Sequence, residues 1–340
     1  MEIARRPAKT LRYVVTLALL GLAVHLLLPQ LASLEHALDV LRGMSRSLVL
    51  LAIGAQIMSY VGSGYLLQSG VSLLKQRITI YQGILVTLAA NSMGLLAGGT
   101  VTALAATFRW LHLLGVNNQA AALAGVMPLL FNNGLLLFLS CFGLVYLFAV
   151  HQLSAIELVG FVVIALVILS FLVGVSWGAQ HRTRLISLAH YCGRRWALLW
   201  RRTYRADAVE EVIDQYYLVW QQLRTGAWYR PAVGALLNNG FDLLTLYILF
   251  IAAGYPLKPG LLIVGYGLPL LFGKIGLLPG GVGVIEGTMA VLFGGFGVPS
   301  AVLVIVVLSY RLCSFWLPTI LGFTLIPFLQ QLDSSTAHAQ

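Results

Sequence analysis

The stretch LLPGGVGVIEG, residues 277–287, decides how the chain is read. Pro279, Gly280, Gly281 and Gly283 stand inside sequence apolar enough to lie within a bilayer. Proline lacks an N–H and glycine lacks a side chain, so together they break a helix. Lipid cannot satisfy the backbone groups that such a break frees, so it persists only where protein or a wet cavity surrounds it. Glu286 follows in the same stretch, and an ionisable residue at that depth is a functional candidate.

The surrounding composition agrees. Of 340 residues, 59% are hydrophobic and only 9% charged, and mean hydropathy is +0.89. A soluble domain carries about 25% charge, so this is a polytopic membrane protein. The formal net charge of +10 does not point to nucleic acid, because the basic residues fall between apolar stretches. Positive-inside topology and an anionic lipid surface explain them. Cys141, Cys192 and Cys313 lack metal-ligand spacing, so neither a zinc site nor a disulfide framework is expected.

Working outward, spans are expected near residues 13–31, 47–68, 120–149, 156–180, 231–254 and 300–329, each long enough for a hydrocarbon core of about 30 Å. The first follows Arg5, Arg6, Lys9 and Arg12, and reads as a retained span because no A-x-A-like cleavage site follows it. Regions 79–114 and 261–298 are each interrupted by a Gly-Gly break and read as helical hairpins, either re-entrant or fully spanning. The expected fold is therefore an all-α polytopic membrane domain of six spans and two broken hairpins.

Charge gives the orientation. Residues 181–230 hold nine of the 21 Lys and Arg residues, and with the four at the amino end, Lys75 and Arg77, one side collects fifteen. The opposite loops hold only Arg42, Arg46 and Lys258. Both termini are expected in the cytoplasm of a cell whose inner membrane holds the chain. Segment 181–230 reads as a cytoplasmic, lipid-contacting helical linker: Val209, Val212, Ile213, Tyr216, Val219, Trp220 and Leu223 share one helical stripe. A gate or partner site is the rival reading of that linker.

An internal repeat emerges at an offset of 182. LLAGG at 95–99 matches LLPGG at 277–281, and Gly115-Val116 matches Gly297-Val298. Repeat one covers about 47–149 and repeat two about 231–329, with the span at 156–180 and the linker between them. Topology makes the copies face opposite ways, the inverted design of transporters whose broken helices meet near the midplane. Close packing of small residues also fits Gly94/Gly98, Gly276/Gly280 and Gly283/Gly287.

The intramembrane charges Arg109, Asp242, Lys274, Glu286 and Arg311 form the main candidate site, with Asn91 and the break residues Gly98, Gly99, Pro279, Gly280, Gly281 and Gly283. Three cations against two anions suit a phosphate or carboxylate head group. Glu286 is expected to pair with Arg311 and Asp242 with Lys274; structural ion pairs that hold helix register are the plain alternative. Asn132, Asn133, Asn238 and Asn239 read first as interhelical hydrogen-bonding groups. The two NNG runs they form could also unwind locally to contact a head group. GGVGVIE lacks a βαβ context, GLPLLFGKI is not a P-loop, and the histidines are scattered, so no enzyme, cofactor or metal site is expected.

FDLLTLYILFIAAG at 241–254, LLPGGVGVIEG at 277–287 and SYRLCSFWLPTILGF at 309–323 resemble the lysylphosphatidylglycerol synthase transmembrane-region family, over roughly Leu48 to Phe328. This flippase-like domain also forms the amino end of the multiple peptide resistance factor. The resemblance implies movement of lipid between leaflets, with aminoacylated phosphatidylglycerol the best-known cargo. It assigns the family's motif glutamate, arginine and aspartate to Glu286, Arg311 and Asp242. Ala97 stands where relatives often have proline, and no aminoacyl-transferase domain follows the last span, so synthesis of lysyl-lipid is not expected. The expected function is a lipid flippase or scramblase with membrane lipids as partners, anionic or aminoacylated phospholipids among them; a homo-oligomer or a separate lipid-modifying enzyme is a further partner to consider. A secondary transporter of a small solute and a non-transporting partner of a lipid-modifying enzyme are the alternatives.

Overall fold

A computed structural model describes residues 42–97, 99–150, 181–199, 228–275 and 279–337, with a few isolated positions outside these ranges. Every element described is helical. The expected spans at 13–31 and 156–180 and the break residue Gly98 lie outside the described residues, as does most of the stripe at 209–223.

The first series is α1 (Arg46–Ser72), α2 (Ile80–Ala97), α3 (Thr100–Leu113) and α4 (Asn118–Val150); α5 (Arg182–Leu199) follows. The second series is α6 (Tyr229–Ala252), α7 (Pro259–Ile275), a tight turn at Pro279–Gly281, α8 (Val284–Gly295), α9 (Ser300–Arg311), a π turn at Leu312–Trp316, and α10 (Leu317–Ala337). Its helices start at Tyr229, Pro259, Val284 and Ser300, against Arg46, Ile80, Thr100 and Asn118, about 182 residues later in each case. Four helices are long and apolar enough to cross a membrane: Arg46–Ser72, Asn118–Tyr146, Tyr229–Ala252 and Ser300–Pro327. The six expected spans are thus four among the described residues. The last is also less regular than its hydropathy implied, because the π turn interrupts it.

Local chemistry explains the boundaries. Thr79 and Gln82 cap the start of α2 reciprocally: Gln82 Oε1 accepts the Thr79 N–H at 2.8 Å, and Thr79 Oγ1 accepts the Gln82 N–H at 3.1 Å. Gly99 precedes α3 at φ +69°, a left-handed conformation that glycine adopts without a Cβ clash. Just after the π turn, Pro318 in the first turn of α10 has no N–H to donate to the carbonyl of Ser314 four residues earlier. Tyr60 of α1 donates its hydroxyl to Ser314 O at 2.9 Å.

Glycines set the packing. Along α1 and α6, Thr245 Oγ1 donates to Ala52 O at 3.4 Å and Ser59 Oγ to Asn238 O at 2.8 Å, while Gly62 faces Asn238 and Gly234 faces Leu66. One number rises as the other falls, so the two helices run antiparallel. Gly143 of α4 meets Val264 of α7, and Gly267 of α7 meets Ser140 of α4, again antiparallel. Ser92 of α2 donates to Thr319 O of α10 at 3.0 Å. The last helix of each series thus packs on the first hairpin helix of the other.

Two apolar cores result. One joins α6–α9 to the beginning of α1 through Phe250, Tyr266, Met289, Phe293 and Tyr310. The other joins the end of α1 to α2, α3 and the start of α4 through Leu67, Val86, Trp110 and Leu111. The NNG runs do not unwind: α4 and α6 are continuous through 132–134 and 238–240. Asn239 Nδ2 donates to Asn132 Oδ1 at 2.9 Å and Asn238 Nδ2 to Ser59 Oγ at 2.9 Å, so these asparagines tie helices together. Asn239→Ala is expected to lower stability by about 0.6–1.7 kcal/mol, the span of measured interhelical hydrogen bonds in membranes, read as a lower unfolding midpoint in detergent.

Candidate functional site

The second hairpin turns through Gly280 and Gly283, both with positive φ, at 70° and 83°. Glycine is required at Gly280 for a second reason: a Cβ there would overlap the Phe315 ring. From this turn α8 begins at Val284, which places Glu286 in its first turn. Glu286 Oε2 accepts the Gly283 N–H at 2.7 Å, satisfying a backbone donor that the helix start leaves without a partner.

Arg311, the last residue of α9, closes the site. Its Nε donates to Glu286 Oε1 at 2.6 Å, and its Nη2 donates to Gly280 O at 3.0 Å. Its guanidinium lies over Phe315, 4.3 Å from the ring centroid. Both charges are withdrawn from solvent, with side-chain exposures of 5% for Arg311 and 10% for Glu286. One guanidinium therefore neutralises the carboxylate and satisfies a carbonyl freed by the glycine break. The π turn follows immediately at Leu312, and such turns in helices are frequent at functional sites. The first hairpin lies close by, since a Cβ on Gly280 would be 3.4 Å from Leu95 Cδ1 of α2.

A second polar group surrounds Asp242 of α6. Its Oδ2 accepts the Tyr266 hydroxyl at 2.9 Å and the Tyr310 hydroxyl at 2.8 Å, so α6, α7 and α9 meet on one carboxylate oxygen. Tyr310 is the neighbour of Arg311, which links the two polar groups through one turn of α9. Gln56 of α1 is buried, and its Oε1 has no hydrogen-bond partner among the described residues.

The expected pairing of Glu286 with Arg311 is present, and that of Asp242 with Lys274 is not. Lys274 Nζ donates to Asn133 Oδ1 of α4, while two tyrosines take Asp242. The rotation of α7 brings Tyr266, two turns before Lys274, to α6 and leaves Lys274 against α4. Arg109 is exposed on α3, and Asn91 is exposed on α2. Sequence reading missed Tyr266, Tyr310, Tyr60, Gln56 and Phe315. Two signals were available for them: Tyr310 and Phe315 stand in the YRLCSFWLP motif, and Tyr60 lies 182 residues before Asp242.

A family model described as the lysylphosphatidylglycerol synthase TM region matches residues 12–322. The chain belongs to this family. Three UPF0104 membrane proteins are also similar to the chain over shorter stretches. That of Methanothermobacter thermautotrophicus is 39% identical over 88 residues, 26% of either chain. That of Pyrococcus horikoshii is 33% identical over 87 residues, also 26% of either chain. That of Methanocaldococcus jannaschii is 36% identical over 83 residues, 24% of this chain and 25% of the relative. The matches thus span about a quarter of these relatives. Membership of the lysylphosphatidylglycerol synthase TM-region family makes the chain an integral membrane protein and suggests a role connected with membrane lipid.

Proposed function

We propose that the protein moves a phospholipid head group between leaflets, using the Glu286–Arg311 pair at the tip of the second hairpin as its switch. The reading is carried by the bond set on Arg311, which holds a carboxylate and the backbone of the break at once. A head-group phosphate matches a guanidinium in charge and geometry, and so competes with Glu286 for it. Exchange of partners would release Gly280, the joint of the hairpin. Acyl chains stay in the bilayer throughout.

Hairpin length supports the same reading. The 12 residues of α8 reach about 18 Å, short of a hydrocarbon core of about 30 Å, so this hairpin is taken as re-entrant. The two helix series are taken as an inverted repeat, because α1 and α6 run antiparallel and each series sends its last helix onto the other's hairpin. By charge, the end of α1 near Arg77 faces the cytoplasm. The two copies are not chemically equal: at the offset of 182, Leu104 and Leu129 stand where Glu286 and Arg311 do. The charged work falls to the second hairpin.

The test is translocation of fluorescent phospholipids in liposomes, read by quenching of the outer leaflet, with wild type, Glu286→Gln and Arg311→Lys. Glu286→Gln keeps an acceptor for the Gly283 N–H but removes the charge that competes with phosphate. Transport in both variants equal to wild type overturns the assignment.

A further inference from the structure

A cleft of about 370 Å³ lies away from the hairpin tips, between the end of α1, the α1–α2 loop and the first turn of α6. Arg77 and Arg230 line it with Tyr65, Gln68, Ser72 and Gln76, and no aspartate or glutamate is among its lining residues. The two arginines are far apart in the chain and come from different elements, so only the fold brings them to one cleft. Its size falls at the small end of ligand-binding pockets.

We propose that this cleft is a binding site for a phosphate group, distinct from the Glu286–Arg311 switch and independent of the transport reading. Donors outnumber acceptors there. Arg77 is exposed, and neither it nor Tyr65 or Gln76 has a hydrogen-bond or charge partner among the described residues. Arg230 spends its Nε on the Tyr229 hydroxyl at 3.1 Å and keeps its remaining N–H groups. The frame is fixed: Gln68 Nε2 donates to Ile78 O at 2.9 Å, tying the loop that carries Arg77 to α1. Ser72 Oγ donates to Ser69 O at 2.7 Å and so offers its lone pairs rather than its proton. Lipid-facing arginines alone would give a diffuse basic surface. A cleft with two guanidinium groups and no carboxylate instead selects a compact dianion or monoanion with several acceptor oxygens, which is phosphate chemistry. Phosphate there can come from a phospholipid head group of the adjacent leaflet or from a soluble phosphate compound.

The experiment uses the delipidated full chain in neutral detergent. One arm measures phosphatidylglycerol binding by native mass spectrometry, and the other measures binding of inorganic phosphate by calorimetry. Wild type is compared with Arg77→Ala/Arg230→Ala and with Arg184→Ala/Arg195→Ala, which removes the same charge from α5. The first pair is expected to weaken binding by about tenfold or more, the scale of lost charge-assisted hydrogen bonds, and the second pair to change it little. Loss in the lipid arm assigns the cleft to a head group; loss in the inorganic arm alone assigns it to a soluble phosphate compound. Equal binding by wild type and Arg77→Ala/Arg230→Ala in both arms overturns the proposal, as does an equal loss with Arg184→Ala/Arg195→Ala.

Discussion

Arg311→Ala is expected to lower the unfolding midpoint of the purified protein steeply, and Arg311→Met combined with Glu286→Gln is expected to recover a large part of the loss. The reason is that Glu286 and Arg311 are both buried, so removing one leaves the other charge without compensation. Breaking a buried pair this way costs about 3–5 kcal/mol, whereas replacing both partners by groups of similar shape is far less damaging. Arg311→Ala also strips Gly280 O of its donor and removes the cation from the face of Phe315. The double variant keeps an amide oxygen at position 286 as an acceptor for the Gly283 N–H, so the start of α8 stays satisfied. Thermal unfolding in detergent, followed by intrinsic fluorescence, reads all three proteins. Equal midpoints for Arg311→Ala and wild type would show that the pair does not hold the hairpin. Recovery of stability without recovery of transport would separate the structural part of the pair from the part proposed for it in moving a head group.

Gly62→Val is expected to abolish a monodisperse folded protein, and Gly62→Ala to cost at least the roughly 1–3 kcal/mol typical of overpacking. A Cβ at Gly62 would overlap the backbone nitrogen of Asn238 and stand 2.8 Å from the carbonyl carbon of Leu237, and backbone cannot move aside as a flexible side chain can. Relief requires α1 and α6 to separate. That would break the bonds between Ser59 and Asn238 and open the contact of Gly234 with Leu66. Gly54, one helix face away in α1, makes the control: nothing lies within 4 Å of its Cβ position, so Gly54→Ala is expected to be neutral or to stabilise by about 0.5–1 kcal/mol. Gel filtration and thermal unfolding of the three variants check the contrast. Similar behaviour of Gly54→Ala and Gly62→Ala would mean that the α1–α6 contact is looser than described.

The sequence by itself determined what depends on composition and on neighbouring residues. An apolar, charge-poor chain has no soluble solution, and Gly280, Gly281 and Gly283, clustered after Pro279, interrupt their helices, like Gly99, with backbone at positive φ that glycine adopts without a Cβ clash. The helices begin and end close to the expected positions for the same reason. The pairing of Glu286 with Arg311 was also legible, since each had few other partners of opposite charge.

Tertiary structure decided what depends on how one helix is turned against another. Asp242 had Lys274 as its nearest cation on paper, but α7 presents Tyr266 to α6 and Lys274 to Asn133 of α4. The NNG runs could have unwound, and they stay helical, with Asn239 of one run bonded to Asn132 of the other and Asn238 bonded to Ser59. The π turn after Arg311 likewise receives a hydrogen bond at Ser314 O from Tyr60, more than two hundred residues away in the chain. A hydroxyl or amide in a membrane must find a partner, yet nothing local says which helix will bring it; that information exists only once the helices have packed.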